Sequence, residues 1–258
     1  MLTPTHRSTQ SGFILDTEEG VISANAAVRY CKVTFNREAY SDAEFARHDL
    51  QHVDHLHRAV VKRKAEYLAG RYCCAQLLEQ YGSSREVGKN SDRSPCWPRG
   101  ITGTISHGDN QAIAIITDQA NVYPGVDIET FNPAVLREIA DSIVSPAEAK
   151  WLNTFSLNTL SLKTLAIKTL TINSDFALLL AFSAKESLFK ALYPLVKVFF
   201  GFEYAVVESI NAAENSFVLA LTQDINNDYP RGMRFSGEYL FDGKNILTLI
   251  IFHQEVYK

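Results

Sequence analysis

Two carboxylates stand out in Gly125-Val126-Asp127-Ile128-Glu129. On a strand, residues i and i+2 share a face about 6–7 Å apart. Asp127 and Glu129 would therefore sit side by side, with Val126 and Ile128 packed behind. Close like charges repel, and a divalent cation relieves the repulsion. Hard oxygen ligands with open positions suit Mg²⁺, whose shell is usually completed by substrate phosphates. The same pattern also describes a solvated strand face.

A second candidate is Ser183-Ala184-Lys185-Glu186, which has the form of a capping box opening a helix through about Tyr193. Pro194 then limits that helix. Glu186 and Lys190 lie at i and i+4, in the favoured order for an ion pair. A helix N-terminus attracts anions, and Lys185 and Lys190 add positive charge there. A plain cap with a surface pair explains the same residues.

Basic residues gather at Arg58, Lys62, Arg63, Lys64 and Arg71, followed by Arg93 before Ser94-Pro95. Guanidinium forks match phosphate oxygens, so this is a small polyanion site or a solvated helix face. Ser106 and His107 end a strand and could hydrogen-bond a phosphate. They are a poor catalytic pair, because adjacent strand residues face opposite ways. His48, His52, His55 and His57 have no third ligand at a standard interval, and surface histidines are favoured over a zinc site.

The elements that must hold these groups can be read from periodicity. Val61, Ala65, Leu68, Tyr72, Ala75 and Leu78 predict a helix from about residue 60 to 81, stopped by Gly82. Residues 83–100 are loop chemistry. Short β-like runs follow at 101–106, 112–117 and 125–129. Ser145-Pro146-Ala147-Glu148 starts another helix, with Ser145 as N-cap and Glu148 reaching back. Asp242-Gly243 turns a hairpin between strands at 233–241 and 246–253. Residues 1–30 read as an irregular lead-in or a first strand. Residues 156–170, SLNTL-SLKTL-AIKTL, repeat a five-residue unit that fits neither helical nor strand periodicity, and predict an inserted loop or an irregular helical lid.

Composition narrows the classes. The 258 residues carry 25 Lys and Arg against 29 Asp and Glu, a formal charge of −4, which argues against a broadly basic nucleic-acid binder. Four cysteines without a CxxC spacing suggest reduced thiols. The longest apolar runs, at 176–182 and 246–252, are far short of a bilayer span, and the N-terminus lacks a signal-peptide core. These features predict a cytoplasmic protein.

Taken in order, KRKAEYLAGR (62–71), SPCWP (94–98), TISH (104–107), GVDIE (125–129) and FSAKESLFKA (182–191) resemble the surfactin/enterobactin-type 4′-phosphopantetheinyl transferases. The resemblance covers roughly residues 45–255. It implies an α+β fold of two pseudo-twofold-related α/β lobes, at 1–122 and 123–258, with the active site between them. It implies Mg²⁺-dependent transfer of 4′-phosphopantetheine from coenzyme A to a serine of an apo acyl, peptidyl or aryl carrier protein, in siderophore-type peptide assembly. Asp127, Glu129 and Glu186 would bind Mg²⁺, with Glu186 also the base for the serine proton. Lys190, helped by Lys185, would neutralise the pyrophosphate. Arg63, Arg71, Arg93, Ser106 and His107 would hold the 3′-phosphate and adenosine end. The enzyme is expected to be a monomer with no nucleic-acid partner. An Mg²⁺-dependent phosphoesterase and a non-catalytic carrier or coenzyme A binding module are the rival readings.

Overall fold

The helix expected near residue 60 is α2, Val61–Glu79, and it organises the first half of the chain. The structure is a computed structural model that describes residues 1–53, 56–159 and 170–254. The chain divides into two units: Met1–Ile128 with the segment from His253 onward, and Glu129–Phe252.

The first unit holds strands β1 (Leu2–Thr9), β2 (Ile14–Ile22) and β3 (Asn25–Phe35). The stretch read as an irregular lead-in or single strand is thus a three-stranded meander. A short helix α1 (Ala43–Arg47) precedes α2. After α2 come the small hairpin β4 (Gly88–Lys89) and β5 (Pro95–Cys96), then β6 (Thr102–Gly108), β7 (Gln111–Thr117) and β8 (Val122–Thr130). The main sheet is antiparallel, ordered β1-β2-β3-β7-β6. Its inner face meets α2 through Val33, Ala112, Ala114 and Ile116 against Leu68, Ala69, Tyr72 and Cys73.

Small residues let α2 lie close to the sheet. Ala65, Ala69, Cys73, Cys74 and Ala75 are fully buried. A Cβ on Gly70 would come within 3.0 Å of the Ile105 side chain on β6. That close approach brings the Arg63–Arg71 face of the helix beside the end of β6.

Hydroxyls clamp β8 to β6. Thr102 Oγ1 donates to the Val122 carbonyl at 2.7 Å. Thr104 Oγ1 and Ser106 Oγ accept the Val126 and Ile128 amides at 3.4 and 3.1 Å. These three alternate residues share one face of β6. Gly108 completes the fit, since a Cβ there would stand 2.8 Å from the Ile128 carbonyl oxygen.

The second unit contains α3 (Pro133–Ile143), α4 (Pro146–Thr159), α5 (Leu170–Val196) and strands β9 (Ala205–Asn211), β10 (Ser216–Leu221), β11 (Arg234–Phe241) and β12 (Asn245–His253, its last residue in the first unit). The strands run β12-β11-β10-β9, all antiparallel. Asp242-Gly243 turns the β11–β12 hairpin as expected, with Gly243 at φ 93°. The core joins Leu180, Leu188 and Leu192 of α5 to Phe217, Leu219, Phe235 and Ile250 of the sheet.

Ser145 caps α4, accepting the Glu148 amide at 3.2 Å. The second expected cap is absent. α5 already spans Leu170–Val196, so Ser183 is interior and Pro194 sits inside the last turn. Ser183 and Ser187 instead reach Thr248 Oγ1 on β12 at 2.8 and 2.7 Å. The repeat-like stretch falls mostly outside the described residues, but Ser156–Thr159 are helical in α4 and Leu170 in α5.

Candidate active site

A cavity of about 500 Å³ opens in the first unit, and one stripe of α2 forms its wall. Arg63, Glu66, Tyr67, Gly70 and Arg71 follow the i, i+3, i+4, i+7, i+8 rule, so all five face it. Ile105 and His107, alternate residues of β6, line the next side. Lys89, Arg93 and Pro95 reach in from the β4–β5 hairpin. Arg93 takes a left-handed backbone, φ 71°, in that turn. The lining therefore carries four cations, one histidine and one carboxylate.

Arg71 is the focus. Its guanidinium lies 4.8 Å from the Tyr67 ring centroid, and its Nη2 is at the 3.5 Å limit from the Gly88 carbonyl. Among the described residues, Nε and Nη1 are buried with no hydrogen-bond partner. Buried donors are almost always satisfied, and an exception at a cavity marks a place for an acceptor. A fork with two such donors suits a phosphate or carboxylate.

Three of the expected anion-binding residues on α2 and the hairpin, Arg63, Arg71 and Arg93, meet here with His107. Ser106 does not join them. It faces the opposite side of β6 and donates to Asp127 Oδ1 at 2.9 Å. Strand alternation, which separates Ser106 from His107, gives them separate tasks. Among the other basic residues, Lys64 pairs with Asp42 at 3.3 Å and Lys62 lies 3.9 Å from Glu66. The sequence reading missed Glu66, Tyr67 and Lys89. The signal for the first two was their spacing from Arg63 and Arg71. The expected surface histidines are partly packed: His48 stacks edge-on with Tyr72, and His52 with Phe45. His55 lies outside the described residues.

Asp127 is buried, 3 % exposed, while Glu129 on the same face of β8 is half-buried. Their backbone is fixed by the Thr104 and Ser106 hydroxyls. In the second unit, Glu186 and Lys190 lie one turn apart on the half-exposed side of α5. Among the described residues no three His, Cys, Asp or Glu side chains gather as a metal cluster. Asp127, Glu129 and Glu186 are nonetheless all carboxylates, the hard donors that Mg²⁺ takes.

Lys185 is placed elsewhere than expected. Its ammonium donates to Glu148 Oε2 at 2.7 Å and to the Ile143 carbonyl at 2.8 Å, and it is buried. Glu148 Oε1 accepts the Val207 amide at 2.8 Å rather than reaching back to cap its own helix. Lys185 thus ties α3, α4 and β9 to α5, with two of its three donors spent inside the unit.

Residues 51–117 match the family profile described as 4′-phosphopantetheinyl transferase N-terminal domain, and residues 123–239 match that of the 4′-phosphopantetheinyl transferase superfamily. Enterobactin synthase component D of Salmonella typhi is 36 % identical over 184 residues, 70 % of each chain. The chain belongs to the 4′-phosphopantetheinyl transferases. The protein of the same name from Escherichia coli K12 is 37 % identical over 156 residues, 59 % of this chain and 67 % of the relative. The 4′-phosphopantetheinyl transferase Npt of Nocardia iowensis is 28 % identical over 209 residues, 76 % and 85 % of the two chains. A 4′-phosphopantetheinyl transferase moves the phosphopantetheine group of coenzyme A to a carrier protein. No helix among its described residues is long and apolar enough to cross a membrane.

Proposed function

We propose that this transferase uses Mg²⁺ and serves siderophore-type peptide assembly, as a monomer in the cytoplasm. The observation that carries the substrate reading is Arg71, whose buried Nε and Nη1 have no hydrogen-bond partner among the described residues, inside a cavity shared by Arg63, Lys89, Arg93 and His107. These groups hold the 3′-phosphate and adenosine end of coenzyme A. Asp127, Glu129 and Glu186 hold Mg²⁺, which when bound offsets charge on the pyrophosphate. The siderophore role is supported by the names of the enterobactin synthase relatives. The compartment is supported by four free cysteines, three of them buried.

In the transfer, the carrier serine oxygen forms a bond to the phosphorus that bears pantetheine. The bond from that phosphorus to the bridging pyrophosphate oxygen breaks, and 3′,5′-ADP leaves. Glu186 takes the serine proton, directly or through water. Lys190 stabilises the charge that grows on the departing phosphate. Ser106 keeps Asp127 in place.

Incubation with coenzyme A, Mg²⁺ and an apo peptidyl carrier protein tests this. The carrier is expected to gain the mass of phosphopantetheine, and to gain none when Mg²⁺ is chelated. Cleavage of coenzyme A with an unmodified carrier would instead establish a phosphoesterase. Binding without either product would establish a binding module. Comparing apo carriers from siderophore and fatty-acid systems tests the assembly role, and equal rates on both would remove it.

A further inference from the structure

Glu66 is an anomaly in a cavity built for phosphates. It is 6 % exposed, its carboxylate repels anions, and burial pushes its pKa up. A negative group in that position calls for a compensating task, and the neighbouring ring supplies one. Glu66 Oε2 lies 3.6 Å from His107 Nδ1. The other ring nitrogen, Nε2, lies 2.9 Å from Arg63 Nη1.

The chemistry of the two partners decides where the ring proton is. A guanidinium has donors and no acceptor. His107 Nε2 must therefore accept from Arg63, which leaves the proton of the neutral ring on Nδ1, facing the Glu66 carboxylate. A ring flipped about its axis would aim a C–H at Arg63 and at Glu66 and would lose both contacts. Glu66 and Arg63 belong to one helix, three residues apart, so α2 grips His107 from both edges while β6 carries it.

We propose that Glu66 is a positioning residue. It fixes the orientation and the Nδ1–H tautomer of His107, so that Nε2 accepts from Arg63 and orients that guanidinium, whose remaining donors meet the phosphate on coenzyme A. Lys62, 3.9 Å from Glu66, offsets part of the negative charge from the outer side of the helix. The arrangement follows a general pattern in which a carboxylate behind an imidazole sets which ring nitrogen is left to accept, here from Arg63. This inference rests on the reading that the cavity takes the 3′-phosphate end of coenzyme A.

The test uses the full chain, with coenzyme A and 3′-dephospho-coenzyme A as paired probes. Glu66→Met keeps the length of the side chain and removes the acceptor. KM for coenzyme A is expected to rise about tenfold with kcat changed less than about twofold, and KM for the dephospho compound to stay unchanged. Glu66→Gln, whose amide oxygen can still face Nδ1–H, is expected to recover most of the loss. The ¹⁵N signals of His107, assigned by their absence in His107→Ala, are expected to show a proton on Nδ1 in the free enzyme. A proton on Nε2 overturns the proposal even if Glu66→Met fails to fold. So does a KM that falls or holds in Glu66→Met, which would make the carboxylate only a repellent. An equal rise for both probes also overturns it, as a general packing defect. If Arg71→Ala and His107→Ala weaken both probes equally, the cavity reading itself fails, and the ¹⁵N signals still decide the tautomer.

Discussion

Lys185 Nζ and Glu148 Oε2 meet at 2.7 Å with both side chains 2 % exposed. Burial lowers the lysine pKa, opposed by the glutamate beside it. Breaking such a pair from one side strands a buried charge and costs about 3–5 kcal/mol, whereas replacing both partners with apolar groups costs far less. Lys185→Met should therefore lower unfolding free energy by about 3–5 kcal/mol in urea titration. Lys185→Met combined with Glu148→Leu should recover most of it, leaving a residue for the Val207 amide that loses its acceptor.

Arg71 carries the opposite balance. Among the described residues its buried Nε and Nη1 have no hydrogen-bond partner, so these two donors contribute little to folding. Hydrogen bonds to a charged ligand are worth about 1.5–3 kcal/mol each, or about ten- to a hundredfold in affinity. Arg71→Met should leave the melting temperature unchanged or slightly higher, while calorimetry shows coenzyme A binding weakened by at least about tenfold. Arg71→Lys should recover only part of the affinity, since a point charge cannot replace the fork.

The legibility of this chain follows from range. α2 was readable because its apolar residues recur at helical spacing, and the β11–β12 turn because Gly243 takes a positive φ locally. The cavity was half readable: Arg63, Arg71, Arg93 and His107 were found by type, but nothing in the type of Glu66 alone marks it as a partner of His107. What failed depended on distant partners. Ser183 mimics a cap, yet Thr248, 65 residues away, satisfies it inside a longer helix. Lys185 looked like a phosphate ligand because nothing nearby in sequence reveals Glu148. The first strands escaped because β1 is mostly exposed and polar, with no alternation to mark it.

Ser106 gives a prediction that connects the fold to the proposed metal residues. Its hydroxyl donates to Asp127 and accepts from the Ile128 amide, both buried. Ser106→Ala removes both bonds and should cost about 2–3 kcal/mol, lowering the melting temperature by roughly 4–12 °C. Because the donor to Asp127 disappears, the Mg²⁺ concentration for half-maximal transfer should also shift. Coenzyme A affinity should change little, since Ser106 does not line the cavity.

Glu18 gives a prediction for acid stability. Burial raises its pKa, but the Arg7 hydrogen bond, Lys32 and the Tyr30 hydroxyl outweigh that and hold it below the ordinary value of 4.5. Between its folded value and 4.5, the unfolded chain binds a proton at this site and the folded chain does not. Its contribution is thus complete above 4.5 and is lost as pH falls through the folded value. Urea midpoints measured from neutral pH downward should fall through this window in the wild type. Glu18→Gln should start lower, because Arg7 and Tyr30 lose their charged partner. It should then decline less steeply, since it has no proton to take up at this site. Parallel declines in the two proteins would show that other carboxylates govern acid unfolding.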